Sequence, residues 1–330
     1  SNIGSGVRAS ARLPPTATRR ESAPEMPPRP FTVEPQANEP LRGILLIIAA
    51  FCTFAMLDTT AKYLVLAYPT AQVVWARYVG HVVLAAAILL PLHGRGLLVS
   101  HRPGLQVLRS LFLFAATCTN FAALQFLQLA QTSSIQFSTP LIVAVLAIPL
   151  LGEHIGPRRW VAIFIGFAGV LIVIRPGLGL VHWAAGLSVL TALCGAFYQI
   201  TTRKLAGVDR AVTTQFYSAL IGAIAITPLV PFFWQTPDLT GTLLMVLLGA
   251  LGGFGHWMLI LAHRLAPAPI LAPFLYIQLL PMILLGYIVF SDLPDLWTLV
   301  GAGVVVFSGL YLLYRERRVK AIRPPVLPPD

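Results

Sequence analysis

An all-α membrane protein of ten transmembrane helices, built as two inverted five-helix repeats with both termini cytoplasmic, is the fold class that three observations predict. Hydrophobic residues make up 57% of the chain and charged residues only 11%, where soluble chains carry roughly a quarter charged residues. Apolar runs of membrane-crossing length recur, separated by short polar connections. Lys and Arg alternate between rich and poor connections along the chain.

Residues 1–40 come first and differ from the rest. They are Pro-rich, carry Arg8, Arg12, Arg19, Arg20 and Arg29, and hold few large hydrophobes. Such a segment cannot bury a core and is expected to be a disordered cytoplasmic tail. It lacks the short apolar core and cleavage site of a signal peptide. Apolar runs then fall near 41–66, 70–92, 104–127, 132–151, 158–175, 182–202, 211–233, 239–262, 268–290 and 296–314. Turn chemistry separates them at His93–Gly96, Gly152–Pro157, Arg175–Gly177 and Ser291–Pro294. Ten spans of about 20–24 residues use some two thirds of the chain and leave no space for a soluble catalytic domain. The expected units are a first repeat at 41–177, a second at 178–318 and a cytoplasmic tail at 319–330.

The basic residues orient the bundle, because Lys and Arg are retained on the cytoplasmic side. With the N-terminus inside, twenty of the 23 fall in the tails and the even-numbered connections. These include Arg42, Arg95, Arg102, Arg109, Arg158, Arg159, Arg203, Lys204, Arg210 and Arg264. Only Lys62, Arg77 and Arg175 lie on the outer half, whose connections carry Asp238, Asp292 and Asp295. An odd number of spans would scramble this alternation. The net charge of +11 is therefore a topology signal, with no soluble basic face to hold a nucleic acid. Cys52, Cys118 and Cys194 all fall within apolar runs, an odd set that gives no disulfide framework and no metal spacing.

The halves also resemble each other. Asn120-Phe121 followed by Leu129-Ala130 matches His256-Trp257 followed by Leu265-Ala266 at an offset of 136 residues. Gly152-Glu153 with Pro157–Trp160 likewise faces Ser291-Asp292 with Pro294–Trp297. Five spans per unit invert the second copy, which places a binding site between the halves near the midplane.

Glycine-rich closing helices sharpen this. Gly166–Gly177 ends the first half and Gly301–Arg318 the second; the first half adds Asp58-x-x-x-Lys62 and Arg77, and the second adds Phe197–Lys204. Over residues 41–318 the chain resembles the EamA repeats of the drug/metabolite transporter superfamily. The resemblance implies a ten-helix secondary transporter with no ATP site, no cofactor and no enzymatic activity, lodged in a bacterial inner membrane. Within that superfamily the chain is similar to aromatic and neutral amino-acid exporters, which implies alternating-access export of such solutes. Export of other metabolites, such as nucleotide sugars or organic cations, is the alternative. An intramembrane transferase would want His-Glu-x-x-His, an acidic pair for Mg²⁺ or a Ser/His/Asp set at one depth, and the sequence has none.

Polar side chains in a span default to the bundle interior. Asp58 is the only acid well inside any run, with Lys62 one helical turn later on the same face. Arg77 enters span 2 to a depth of roughly 10 Å at helical rise. If Asp58 pairs with one cation, the other is left for a substrate carboxylate; the alternative is that both cations snorkel outward and Asp58 ties span 1 to span 2. His81 and His256 could titrate near neutral pH or simply bond a neighbouring helix. The mid-span rings and amides (Trp75, Tyr78, Asn120, Gln136, Tyr198, Gln199, Tyr217, Trp257, Tyr276 and Gln278) suit a cavity for an apolar or aromatic side chain with a zwitterionic head. Of these, Trp75, Tyr78, Asn120, Tyr198, Tyr217, Trp257 and Tyr276 join Arg77, His81 and His256 as expected substrate contacts, with Asp58 and Lys62 as a coupling network. The cavity is expected from spans 1–4 and 6–9, with spans 5 and 10 peripheral. Gly249–Gly255 reads as close helix packing rather than a nucleotide fingerprint, since no strand precedes it. The partners expected are a small solute and the bilayer, with one chain providing a complete pathway.

Overall fold

The computed structural model describes residues 39–151, 156–175, 183–205 and 208–322. Among them there is no strand, and ten helical stretches are long and apolar enough to cross a membrane. Numbered in chain order, spans 1–5 are Pro40–Val65, Thr70–Leu92, Pro103–Leu124, Leu129–Leu150 and Pro157–Ile174. Spans 6–10 are Ala184–Leu205, Ala211–Phe232, Leu239–Leu265, Ala272–Phe290 and Leu296–Arg315. The expected tail at 1–38, the turn residues 152–155 and 176–177, and the tail beyond 322 lie outside the described residues.

Local chemistry sets the ends. Pro40, Pro103 and Pro157 open spans 1, 3 and 5, where a missing N–H is no loss. Asp238 caps span 8, its Oδ1 accepting from the Gly241 N–H at 2.7 Å. Spans 4, 7 and 9 are not continuous α-helices, span 7 passing into a 3₁₀ segment at Thr227–Phe232. In span 4 the helix Leu129–Gln136 stops and a second begins at Thr139. Pro140 offers no N–H to the Gln136 carbonyl, which accepts from Thr139 Oγ1 at 2.6 Å instead. Span 9 runs as a 3₁₀ segment, Ala272–Gln278, before the α-helix Leu279–Phe290.

The most extensive packing joins span 1 to 8, 3 to 6, 2 to 7 and 8, 3 to 7, 4 to 6, 1 to 9, 4 to 9 and 5 to 10. Exchanging every span for the one five places away leaves this set of pairs unchanged. Spans 2 and 8 touch backbone to backbone: a Cβ on Gly249 would stand 2.6 Å from Gly80 Cα. Gly169 and Gly301 make the same kind of approach between spans 5 and 10. Only small residues allow such contact, which dispersion and backbone proximity reward within a bilayer. Large hydrophobes such as Phe164, Leu239, Phe254 and Phe307 are exposed around the outside, as lipid contact requires. So are Trp183, Trp234 and Trp297 near span ends.

Candidate functional site

Arg77 and Asp58 define the centre of the bundle. Arg77, on span 2, is only 6% exposed, with its guanidinium carbon 4.6 Å from the centroid of the Tyr78 ring. Its Nε and Nη1 are buried and have no hydrogen-bond partner. Asp58, on span 1, accepts one hydrogen bond, from Asn120 Nδ2 at 3.1 Å. Asn120 Oδ1 in turn accepts from Gln136 Nε2 at 2.8 Å, linking spans 1, 3 and 4. Among the described residues no cation comes within ion-pair distance of Asp58, and no acid within that distance of Arg77. Both face a cavity of about 210 Å³ that His256, Asn120, Thr191 and Gln278 also line. A second chamber of about 130 Å³ shares Asp58, Gln136 and Gln278 with it. Spans 5, 7 and 10 contribute no lining residue to either.

The other expected residues divide between support and periphery. Tyr78 is buried beneath Arg77 and bonded to Thr117 at 3.0 Å. His81 meets Gln215 at 3.0 Å and the His256 ring at 5.5 Å. The His256 ring also stands edge-on to Phe54 at 5.0 Å, and its Nδ1 is buried without a partner. Trp75 packs on Trp234, Trp257 against the Leu89 and Phe216 cluster, and Tyr276 against Phe137. Tyr217 donates to the Leu98 carbonyl at 2.8 Å. None of these four rings lines either chamber.

Lys62 does not pair with Asp58. Its Nζ reaches Asp292 Oδ2 at 2.7 Å and the Leu127 carbonyl at 3.2 Å, over the Phe290 ring. A lysine stem is long enough to carry its charge outward to the connections, away from the costly interior. This closes the side of the bundle holding the 3–4 and 9–10 connections. There Gln72 and Gln235 exchange two hydrogen bonds, and Arg175 pairs with Asp295.

Arg109, read as a connection residue, is buried in span 3. It donates to Thr202 Oγ1, Ser218 Oγ, the Thr214 carbonyl and Tyr198 OH at 2.6, 2.5, 3.1 and 2.7 Å. It therefore ties spans 3, 6 and 7 together, and Tyr198 serves it rather than the cavity. Beyond it Asp209 receives Ser100, Gln106 and the His101 N–H. Burial pushes the Asp209 carboxyl up, but these hydrogen bonds outweigh it and hold the group below the usual carboxylate range. The cavity thus lies between two cross-braced ends.

Residues 41–175 match the EamA-like transporter family. The S-adenosylmethionine uptake transporter of Rickettsia bellii is 28% identical over 84% of this chain and 94% of its own length. A riboflavin transporter of Rhizobium johnstonii is 26% identical over 86% of this chain and 95% of its own. A crystal structure 17% identical in sequence superposes at a TM-score of 0.59, covering 86% of this chain and 98% of that one. It shares the fold.

Proposed function

We propose that this chain, a multi-pass small-molecule transporter carrying an EamA-like domain over residues 41–175, moves solutes with an α-amino-acid head by alternating access across a bacterial inner membrane. The observation that carries the reading is the buried Arg77 guanidinium, whose Nε and Nη1 have no hydrogen-bond partner, turned into a cavity it shares with Asp58, whose carboxylate accepts from Asn120 and has no salt bridge to a described residue. A buried charge without a partner is costly. Two opposite charges held apart across one cavity suit a ligand carrying both: a carboxylate for Arg77 and an ammonium for Asp58. A free amino acid and S-adenosylmethionine share that head, so the amino-acid export expected from sequence and the uptake named for the Rickettsia relative fit one site. Direction in a secondary carrier follows the solute gradient, not these side chains.

The inverted repeat belongs to this reading. Its support is the set of span pairs that survives exchange of the halves, together with the basic asymmetry that puts both termini in the cytoplasm.

Counterflow of labelled methionine and S-adenosylmethionine in proteoliposomes tests it. Arg77→Ala should lower apparent affinity for both by at least about thirtyfold, the scale for removing one partner of a buried charge pair. Decarboxylated analogues should not compete. Retained flux in the variant, or competition by the amines at equal concentration, overturns the proposal.

A further inference from the structure

Spans 4 and 9 are both interrupted beside a glutamine that precedes a proline: the first helix of span 4 ends at Gln136, before Pro140, and the 3₁₀ segment of span 9 ends at Gln278, before Pro281. Discontinuous helices at corresponding places in two halves are where transporters build ligand sites, because freed backbone and adjacent side chains line a cavity there. The smaller chamber lies at these breaks, and Gln199 of span 6 joins it.

The three amides are available. No hydrogen bond joins the Gln199 or Gln278 side chain to another described residue. Gln136 uses its Nε2 on Asn120 and leaves Oε1 open. Phe137, Leu275 and Met282 supply the apolar walls. A hydrocarbon ring placed here would strip water from three amides and return no hydrogen bond. A ring with donors and acceptors around its rim returns them, since a glutamine amide matches the adjacent amino group and ring nitrogen of an adenine in two bonds. Its flat faces then meet Phe137 and Met282.

We infer that this chamber is the subsite for a nitrogen heteroaromatic ring of purine type, read at its edge by Gln136, Gln199 and Gln278 and joined through Asp58 to the amino-acid head. The inference rests on the proposed function for the head and adds the class of group attached to it. It also sets a purely hydrocarbon aromatic side chain, such as that of phenylalanine, below a heteroaromatic one.

The test is equilibrium binding to the purified full chain of two ligands: S-adenosylmethionine, and its analogue bearing hydrogen in place of the purine 6-amino group. The wild type should prefer the amino-bearing ligand by about tenfold, the loss expected for one hydrogen-bonded group left unmatched. Gln278→Leu and Gln199→Leu, tested separately, should shrink that preference toward unity while still binding the analogue, which shows that the variant is folded. A wild type without preference, or a preference unchanged in both variants, overturns the inference. If methionine-headed ligands bind in an Arg77-dependent way without ring discrimination, only this inference fails. If none of them binds, the reading of the head fails with it.

Discussion

Lys62 shows how one side chain redistributes the charges of a site. Its place one turn after Asp58 invites a local pair, yet the Nζ lies 2.7 Å from Asp292, 230 residues along the chain. Sequence spacing reports helix faces but not which loop will arrive over them. Once Lys62 is matched elsewhere, Asp58 and Arg77 are left facing one cavity with no salt bridge to a described residue, the arrangement on which the proposed zwitterionic head depends. The Lys62 side chain is 9% exposed and that of Asp292 30%. Asp292→Asn should therefore cost about 1–3 kcal/mol, below the range for a fully buried broken pair because water screens the partner. The check is a fall in the thermal unfolding midpoint in detergent, partly recovered by the exchanged pair Lys62→Asp with Asp292→Lys. An unchanged midpoint in the single variant would remove Lys62 from the bracing of that side.

The limits of hydropathy are clearest in the elements. Each apolar run became a span within a few residues, because a bilayer admits little but helices of that length. The glycines of span 8 were legible as close packing, and Gly249 does meet Gly80. Gly249→Ala should push spans 2 and 8 apart and destabilise by about 1–3 kcal/mol, the range for overpacking, which the same unfolding assay reads. Less legible were the breaks of spans 4 and 9. Prolines such as Pro140, Pro273 and Pro281 can kink a helix, but a proline does not tell that a break will deliver a glutamine to a chamber. Arg109 lay inside the expected 104–127 run yet was counted with the connection, because the acceptors that bury it come from spans 6 and 7, far away in sequence. The connections also carry a pH signature. The Asp209 carboxyl sits below its ordinary range, so its hydrogen bonds stabilise the fold above that range and are lost as pH falls through it. The difference in unfolding midpoint between wild type and Asp209→Asn should be constant near neutral pH and shrink in acid. A difference that grew toward acid would contradict the assignment.

At the scale of the whole molecule, spans 1–4, 6, 8 and 9 line a cavity that lies between two sets of polar ties, while the lipid-facing surface stays apolar. Lys62–Asp292 and Gln72–Gln235 hold one end, while the Arg109 cluster and the Ser100–Asp209 contact hold the other. A carrier that alternates must release these sets in turn, never together, or its solute would run freely down its gradient. Such ties suit that task, since each is a small set of hydrogen bonds and charges that trades against water when its end opens. Locking either end should then stop net transport while leaving the central site formed. With Cys52, Cys118 and Cys194 first replaced by alanine, cysteines at Gln72 and Gln235, or separately at Ser100 and Asp209, give one addressable pair per end. A short reducible bis-thiol cross-linker at either pair should abolish counterflow in proteoliposomes, and reductant should restore it. Continued flux with one end cross-linked would mean that solute passes without that end opening, and the alternating mechanism would have to be abandoned.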